Sequence, residues 1–390
     1  MGRTLFAGEY SSRNVGDGII RLAIERLCRD HGVDADFRDF YGSPVQAGAF
    51  TVPQGKAKKS SLKRTLLQSA AVNYAISILF YFTRYKKIAA SYDTAKYEQV
   101  VIGGGNLMMD NFLNFPLLIL RIVQQCERNN TPVKLFSVGA GKKYTWLAKL
   151  IVSRIVESDA VRSVMCRDSH SFELIRAAAG ERHVHKIKAG YDSALYLKRE
   201  APNHVPGSVV GLGVIAPAIL KTLTPEHPMS DKQYALGWWE SIVRALEPQV
   251  GAAHIEVLSN GSDADNEFAQ ELWAALAPKF PGISVCTTIQ QPADLIQKIG
   301  DYRALAAYRM HAAVTAMALE VPVVGFEWDP KVLHMFTYCG RQDACVSMAQ
   351  FGSRSVQDIT HTLLNETPVQ LDAIRTSLAK DFLAAVGRSK

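Results

Sequence analysis

The groups in this sequence best suited to act on an anionic substrate stand close together late in the chain. Arg309 and His311 fall in the segment Tyr308-Arg309-Met310-His311-Ala312, and Lys331 closes the segment Glu327-Trp328-Asp329-Pro330-Lys331. Two fixed cations can hold a carboxylate and a phosphate, Arg bidentately. An imidazole titrates near neutrality and can both give and take a proton. His311 opens a predicted helix, where the macrodipole disfavours its protonated form and attracts an anion. A further cation, Arg167, lies in Cys166-Arg167-Asp168-Ser169, after the apolar run at residues 161–165. Asp168 or Ser169 is expected to cap the helix that follows. An Arg beside an Asp is commonly a structural ion pair, so the position of Arg167 decides its role.

Three glycine-containing turns precede these cations. The first is Asn14-Val15-Gly16-Asp17, the second Gly103-Gly104-Gly105-Asn106, and the third Gly139-Ala140-Gly141-Lys142. Each follows a short apolar run. Glycine lets backbone pass close to a ligand or to another loop, and a helix start offers N–H groups to an anion. These positions, Asn14, Gly16, Asp17, Gly103, Gly104, Gly105, Asn106, Gly139 and Gly141, are the candidate substrate-binding residues. None of the turns has the Gly-x-Gly-x-x-Gly spacing of a dinucleotide site, and no P-loop Lys follows. No Cys/His cluster has metal-ligand spacing and no carboxylate cluster demands a metal, so neither metal nor cofactor is expected.

These residues need a scaffold that gathers strand ends. Apolar runs at residues 4–7, 33–37, 100–102, 133–138, 161–166 and 186–189 read as strands, with helices at 17–31 and 146–156 between them. The stretch 198–207, with two prolines and a glycine, reads as a domain boundary. The pattern then restarts, with strands at 209–215, 254–258, 283–287, 302–307 and 321–326 and helices at 237–246, 266–276 and 311–319. A helical tail runs from residue 356 to about residue 386. Short buried strands alternating with helices predict parallel, helix-covered sheets. The expected architecture is α/β, with Rossmann-like domains at 1–200 and 206–390 facing across a cleft.

The motifs, in this order, resemble the polysaccharide pyruvyl transferase family. The matching pieces are Asn14–Asp17, Gly103–Asn106, Ser137–Gly141, Cys166–Ser169, Arg309–Ala312 and Asp329–Lys331. Tyr191-Asp192 stands where a Pro-Asp pair is common in the family, and no catalytic role is assigned to Asp192. The resemblance implies a fold similar to GT-B glycosyltransferases. It implies transfer of the enolpyruvyl unit of phosphoenolpyruvate to a sugar of a polysaccharide precursor, giving a pyruvate ketal and phosphate. His311, Arg309, Lys331 and Arg167 would then carry the catalysis. The rival expectation is a glycosyltransferase using a nucleotide sugar, since the same cleft and cations suit a diphosphate. A noncatalytic partner in polysaccharide assembly is a third.

The chain has 390 residues, 48% of them hydrophobic, which excludes a disordered protein. Its net charge of +7 is local. Residues 56–87 hold eight Lys and Arg and no Asp or Glu, leaving 36 of the 44 basic residues against 37 acids elsewhere. Within that segment residues 66–82 form an apolar run of about 17 residues, at the short limit for a membrane span. Basic ends and the aromatics Tyr81, Phe82 and Tyr85 suit a helix lying on an anionic membrane surface. The expected location is cytoplasmic, at the inner face of the membrane, where a lipid-linked oligosaccharide acceptor would be met. A homo-oligomer is compatible with this picture. Nucleic-acid binding is not expected, because no recognised motif is present. The six cysteines form no Cys-x-x-Cys pair and read as reduced.

Overall fold

A computed structural model describes residues 3–11, 15–45, 70–110, 113–199 and 207–388. Asn14 and residues 56–69 of the basic segment therefore lie outside the described residues. The chain divides into two compact units. The first comprises Met1–Ser12, Ile20–Ser193 and Ile374–Lys390, and the second Arg13–Ile19 and Ala194–Ala373.

The first unit begins with β1 (Thr4–Gly8), α1 (Val15–Asp30), β2 (Ala35–Asp39) and a short β3 (Pro44–Val45). Then come α2 (Ala70–Phe82), α3 (Arg84–Ser91), β4 (Gln99–Met108), α4 (Asn114–Arg128), β5 (Val133–Ala140) and α5 (Trp146–Glu157). It continues with β6 (Val161–Cys166), α6 (Ser169–Ala179) and β7 (Ile187–Ala189). The strands form one seven-stranded sheet in the order β3-β2-β1-β4-β5-β6-β7. Every pairing is parallel except β2 with β3.

The second unit contains β8 (Val210–Gly213), α7 (Pro217–Leu223), α8 (Lys232–Val250), β9 (Ile255–Leu258), α9 (Asp263–Leu276) and β10 (Ser284–Cys286). These are followed by α10 (Pro292–Gly300), β11 (Ala304–Ala307), α11 (Met310–Ala318), β12 (Val323–Phe326), α12 (Pro330–Tyr338), β13 (Cys345–Val346) and α13 (Val356–Asn365). Its six strands pair in the order β10-β9-β8-β11-β12-β13, all parallel. Strands β8, β9, β11 and β12 are buried throughout, as expected where helices cover both faces.

Each sheet has a point where the strand order reverses, between β1 and β4 in the first unit and between β8 and β11 in the second. Ligands of doubly wound sheets bind outside the carboxyl ends of the strands at such points. Helix α1, with Gly16 in its first turn, follows β1, and the Arg309–His311 segment follows β11, each beside such a reversal.

Three expectations are corrected. Strand β4 does not stop at Gly103; it runs through the three glycines to Met108, with a register break against β5 between Gly105 and Met108. The helical tail is two helices, α13 and α14 (Asp372–Ala385). The expected C-terminal domain also loses its end, because residues 374–390 belong to the first unit. Phe382 of α14 is fully buried against Phe6 and Phe136, with ring centroids 6.1 and 5.8 Å away. Lys134 Nζ donates to the Ala384 carbonyl at 3.0 Å, and Lys188 pairs with Asp381. An aromatic side chain of this size, buried on β1 and β5, fixes which sheet the helix completes.

Candidate active site

In the second unit, Arg309 is the residue before α11, and His311 lies in that helix's first turn. The backbone here is set by β11, whose last residue, Ala307, sits beside Gly213 of β8 and Gly325 of β12. Arg309 does not point away from the protein unsupported. Its Nε and Nη2 donate to Asp265 Oδ2 at 2.9 and 2.6 Å. Asp265 is fully buried, and its other oxygen accepts the Ala216 N–H at 2.8 Å. One carboxylate thus ties the turn after β8 to the guanidinium after β11. The Arg309 side chain keeps 23% of its surface exposed.

The turn after β12 is fixed in a similar way. Asp329 caps α12 by accepting the Lys331 N–H at 3.1 Å. Trp328 Nε1 donates to the Tyr308 carbonyl at 2.8 Å, and the Lys331 ammonium stands 4.8 Å from the Trp328 ring centre, a cation–π contact. The indole therefore links the Arg309–His311 turn to Lys331. Beneath it, His227 Nε2 lies 3.2 Å from the Glu327 carbonyl and Thr224 Oγ1 donates to the Trp328 carbonyl at 2.9 Å. Burial pushes the His227 pKa below its ordinary value.

The first turn of α1 joins this cluster, since residues 13–19 group with the second unit. A methyl group placed on Gly16 would lie 2.2 Å from His311 Nδ1 and 2.6 Å from its Cγ. Gly16 is therefore required by the imidazole rather than by the turn. Helix α1 starts at Val15, so Asp17 lies inside the first turn and is not its cap.

The remaining sequence-predicted residues form a separate cluster in the first unit. Gly103 and Gly104 are packing positions: a methyl on either would meet the Phe136 carbonyl oxygen at 2.7 Å or Ile20 Cγ2 at 2.1 Å. Gly104 and Gly105 also have φ of +80° and +87°, which other residues rarely adopt. Arg167 is buried and paired with Asp168 at 3.4 Å and Asp192 at 3.5 Å. Asp168 in addition caps α6, accepting the Ser171 N–H at 2.6 Å. Arg167 leaves no room at Gly139, where a methyl would lie 2.5 Å from its Nε and 2.8 Å from Asn106 Oδ1. With two carboxylates around it, Arg167 braces the turns after β5 and β6. Asn106 Oδ1 is buried and has no hydrogen-bond partner among the described residues. Gly141 is unconstrained, the nearest heavy atom to a methyl there being 3.6 Å away. Ser137 holds φ of +56° within β5; its hydroxyl accepts the Ser193 N–H and donates to the Tyr191 carbonyl.

Asp265 and Trp328 are functional supports that sequence reasoning missed. The acid in Ser262-Asp263-Ala264-Asp265 reads as ordinary first-turn helix chemistry, and only the fold shows that it meets Arg309. Among the described residues no group of three or more His, Cys, Asp and Glu is arranged to hold a metal ion.

A family model for polysaccharide pyruvyl transferase matches residues 14–330, which span Gly16, Arg309, His311 and Pro330. The chain belongs to the polysaccharide pyruvyl transferase family. No curated protein matches it in sequence. The fold of this pyruvyl transferase family member is that of the GT-B enzymes. UDP-GlcNAc 2-epimerase from Methanocaldococcus jannaschii is similar with a TM-score of 0.51 at 11% identity, covering 99% of each chain. An alpha,alpha-trehalose-phosphate synthase (UDP-forming) from Burkholderia vietnamiensis is similar with a TM-score of 0.51 at 10% identity, covering 100% of this chain and 94% of that one. At these identities the likeness concerns the fold alone.

Proposed function

We propose that the protein transfers the enolpyruvyl unit of phosphoenolpyruvate to two hydroxyls of one sugar in a polysaccharide precursor. In this step C3 of the enol gains a proton and C2 becomes electrophilic. One sugar hydroxyl adds to C2, and a second displaces phosphate. Two hydroxyl protons are released; one balances the new methyl group and the other leaves with phosphate. His311 acts as the acid and base, and Arg309 and Lys331 hold the carboxylate and phosphate. Arg167 acts indirectly, by holding the Gly139 turn. Every step uses acid–base and cationic groups, so no cofactor is needed. Loss of activity in EDTA, restored by a divalent ion, would overturn that point. A lipid-linked oligosaccharide is the proposed acceptor.

The observation that carries this proposal is the packing of Gly16 on His311, with Arg309 on the same turn and Lys331 on the turn that Trp328 ties to it. It brings the first family motif onto the imidazole of the Arg309–Ala312 motif. The test is incubation with phosphoenolpyruvate and a panel of lipid-linked and activated sugars, read as a mass gain of one pyruvate ketal and as phosphate release. Loss of both in His311→Ala, with the fold intact, is expected. Full transfer by that variant would refute the assignment. Nucleotide release from a nucleotide sugar, with phosphoenolpyruvate inert, would favour the glycosyltransferase instead.

A further inference from the structure

Two helices of the first unit carry large apolar side chains into solvent. On α2 these are Ile78, Leu79 and Phe82, at 39, 60 and 64% exposure; on α5 they are Trp146 and Leu150, at 76 and 45%. Both helices pack against α4. At their starts Tyr74 Oη donates to Asp110 Oδ1 at 2.9 Å, and Thr145 Oγ1 donates to that same oxygen at 3.1 Å. Near their ends Tyr81 and Arg154 line one pocket against α4, of about 360 Å³. Residues 74, 78 and 81 share one stripe of α2, and residues 146, 150 and 154 one stripe of α5. Ile78 and Leu150 therefore lie on the stripes of the two helices that these contacts mark.

The charge around this face has one sign over most of its length. Lys142, Lys143 and Lys149 are exposed beside Trp146, and Arg84, Lys86 and Lys87 are exposed just beyond Phe82. Residues 141–154 contain four Lys and Arg and no Asp or Glu, a second acid-free basic segment besides residues 56–87. Together the two segments hold twelve of the 44 basic residues, which leaves 32 against 37 acids. Glu127, Glu157 and Asp159 line only the pocket at the far end. No described helix is long and apolar enough to cross a membrane.

We propose that α2 and α5 together form a docking face for an anionic lipid bilayer, with Trp146, Leu79 and Phe82 entering the interface and the lysines meeting the headgroups. An exposed Trp flanked by lysines and aliphatic residues suits the headgroup region, where its ring finds both apolar and polar surroundings. A second protein copy would leave six cations facing six cations at a twofold contact, which disfavours that occupant. The proposal stands apart from the reaction, because it concerns surface residues that the chemistry does not use.

The test is flotation of the full chain with vesicles of equimolar phosphatidylglycerol and phosphatidylcholine, compared with phosphatidylcholine alone. Binding is expected only with the anionic vesicles, weakening with salt, and with a blue shift in emission that Trp146→Phe removes. Replacing Lys142, Lys143 and Lys149 together by Gln should weaken binding roughly a hundredfold. Trp146→Ser should also weaken it, with thermal unfolding unchanged in both. Binding by the α5 variants equal to the parent would overturn the composite face, even if charge changes within residues 84–87 abolished binding. Absence of vesicle binding, with a dimer in sedimentation that Trp146→Ser dissolves, would assign the face to a second copy. Loss of vesicle binding with phosphoenolpyruvate turnover intact, or the reverse, separates this proposal from the catalytic one.

Discussion

Gly16→Ala is the sharpest probe of the catalytic arrangement, because its effect follows from one measured approach. The added methyl would lie 2.2 Å from His311 Nδ1, whereas uncompressed contacts begin at about 3.5 Å. The ring must move by about 1.3 Å, or α1 must move by as much. Gly16 has no left-handed φ and lies within α1, so alanine meets no backbone strain and gains up to about 1 kcal/mol of helix propensity. Overpacking opposes this with about 1–3 kcal/mol. The expected net loss of stability is therefore about 0–3 kcal/mol, while a catalytic group displaced by about 1 Å costs roughly a hundredfold in rate.

A double-mutant cycle isolates the contact. In the His311→Ala background the imidazole is gone, so Gly16→Ala should become neutral or stabilising by up to about 1 kcal/mol. Chemical denaturation of the four proteins measures the coupling without any knowledge of the acceptor sugar. Phosphate release from phosphoenolpyruvate measures the rate once an acceptor is found. Equal stability costs for Gly16→Ala with and without His311 would refute the packing, and full turnover by Gly16→Ala would refute the role given to the ring's position.

The other predictions concern the supports. Asp265→Ala should destabilise by about 3–5 kcal/mol, because it strands the Arg309 guanidinium and the Ala216 N–H, and Asp265→Asn should cost less by keeping the Ala216 bond; denaturant unfolding compares the two. The His227 pKa is lowered by burial, so the unfolded state takes up its proton first. Its contribution to stability is complete above about pH 6.5 and declines as the pH falls below that value. His227→Gln should flatten the fall in melting temperature across that window, and an unchanged slope would count against the assignment. Phe382→Ala should cost about 3–5 kcal/mol by emptying the site between Phe6 and Phe136, a loss confined to unfolding measurements if α14 serves only the sheet.

The strands were largely legible because their runs are short, apolar and closed by glycine. Residues 161–166 were read as the strand that β6 forms, and residues 133–138 fell short only by the two residues that complete β5. Gly103–Gly105 misled, since glycine normally ends a strand, yet here β4 continues because Phe136 and Ile20 need the space. The tail was legible as helix but not as part of the first unit. Amphipathic periodicity says that a face will be buried and is silent about which sheet receives it. Phe382 carries that information only once Phe6 and Phe136 are known to be neighbours.

The cations show where type and spacing stop being informative. Arg309 and Arg167 each follow a strand and stand near a helix start, and each was assigned to the substrate. Their surroundings separate them. Arg167 is buried between Asp168 and Asp192, so its charge is compensated within the first unit, and an anion bound to it would have to compete with two carboxylates. Arg309 meets a single carboxylate through one edge of its guanidinium and retains exposure. A single buried Asp behind an Arg orients the guanidinium and leaves donors for a ligand, whereas two flanking acids turn it into a brace. The same logic predicts which substitution is selective. Arg309→Lys keeps the charge but loses the fork that Asp265 orients, so it should raise the KM for phosphoenolpyruvate at least tenfold with little change in unfolding. Arg167→Lys leaves Asp168 and Asp192 poorly paired in a buried site and should show first as lost stability. Measuring KM and the unfolding midpoint for both variants decides the matter, and the reverse pattern would exchange the two roles.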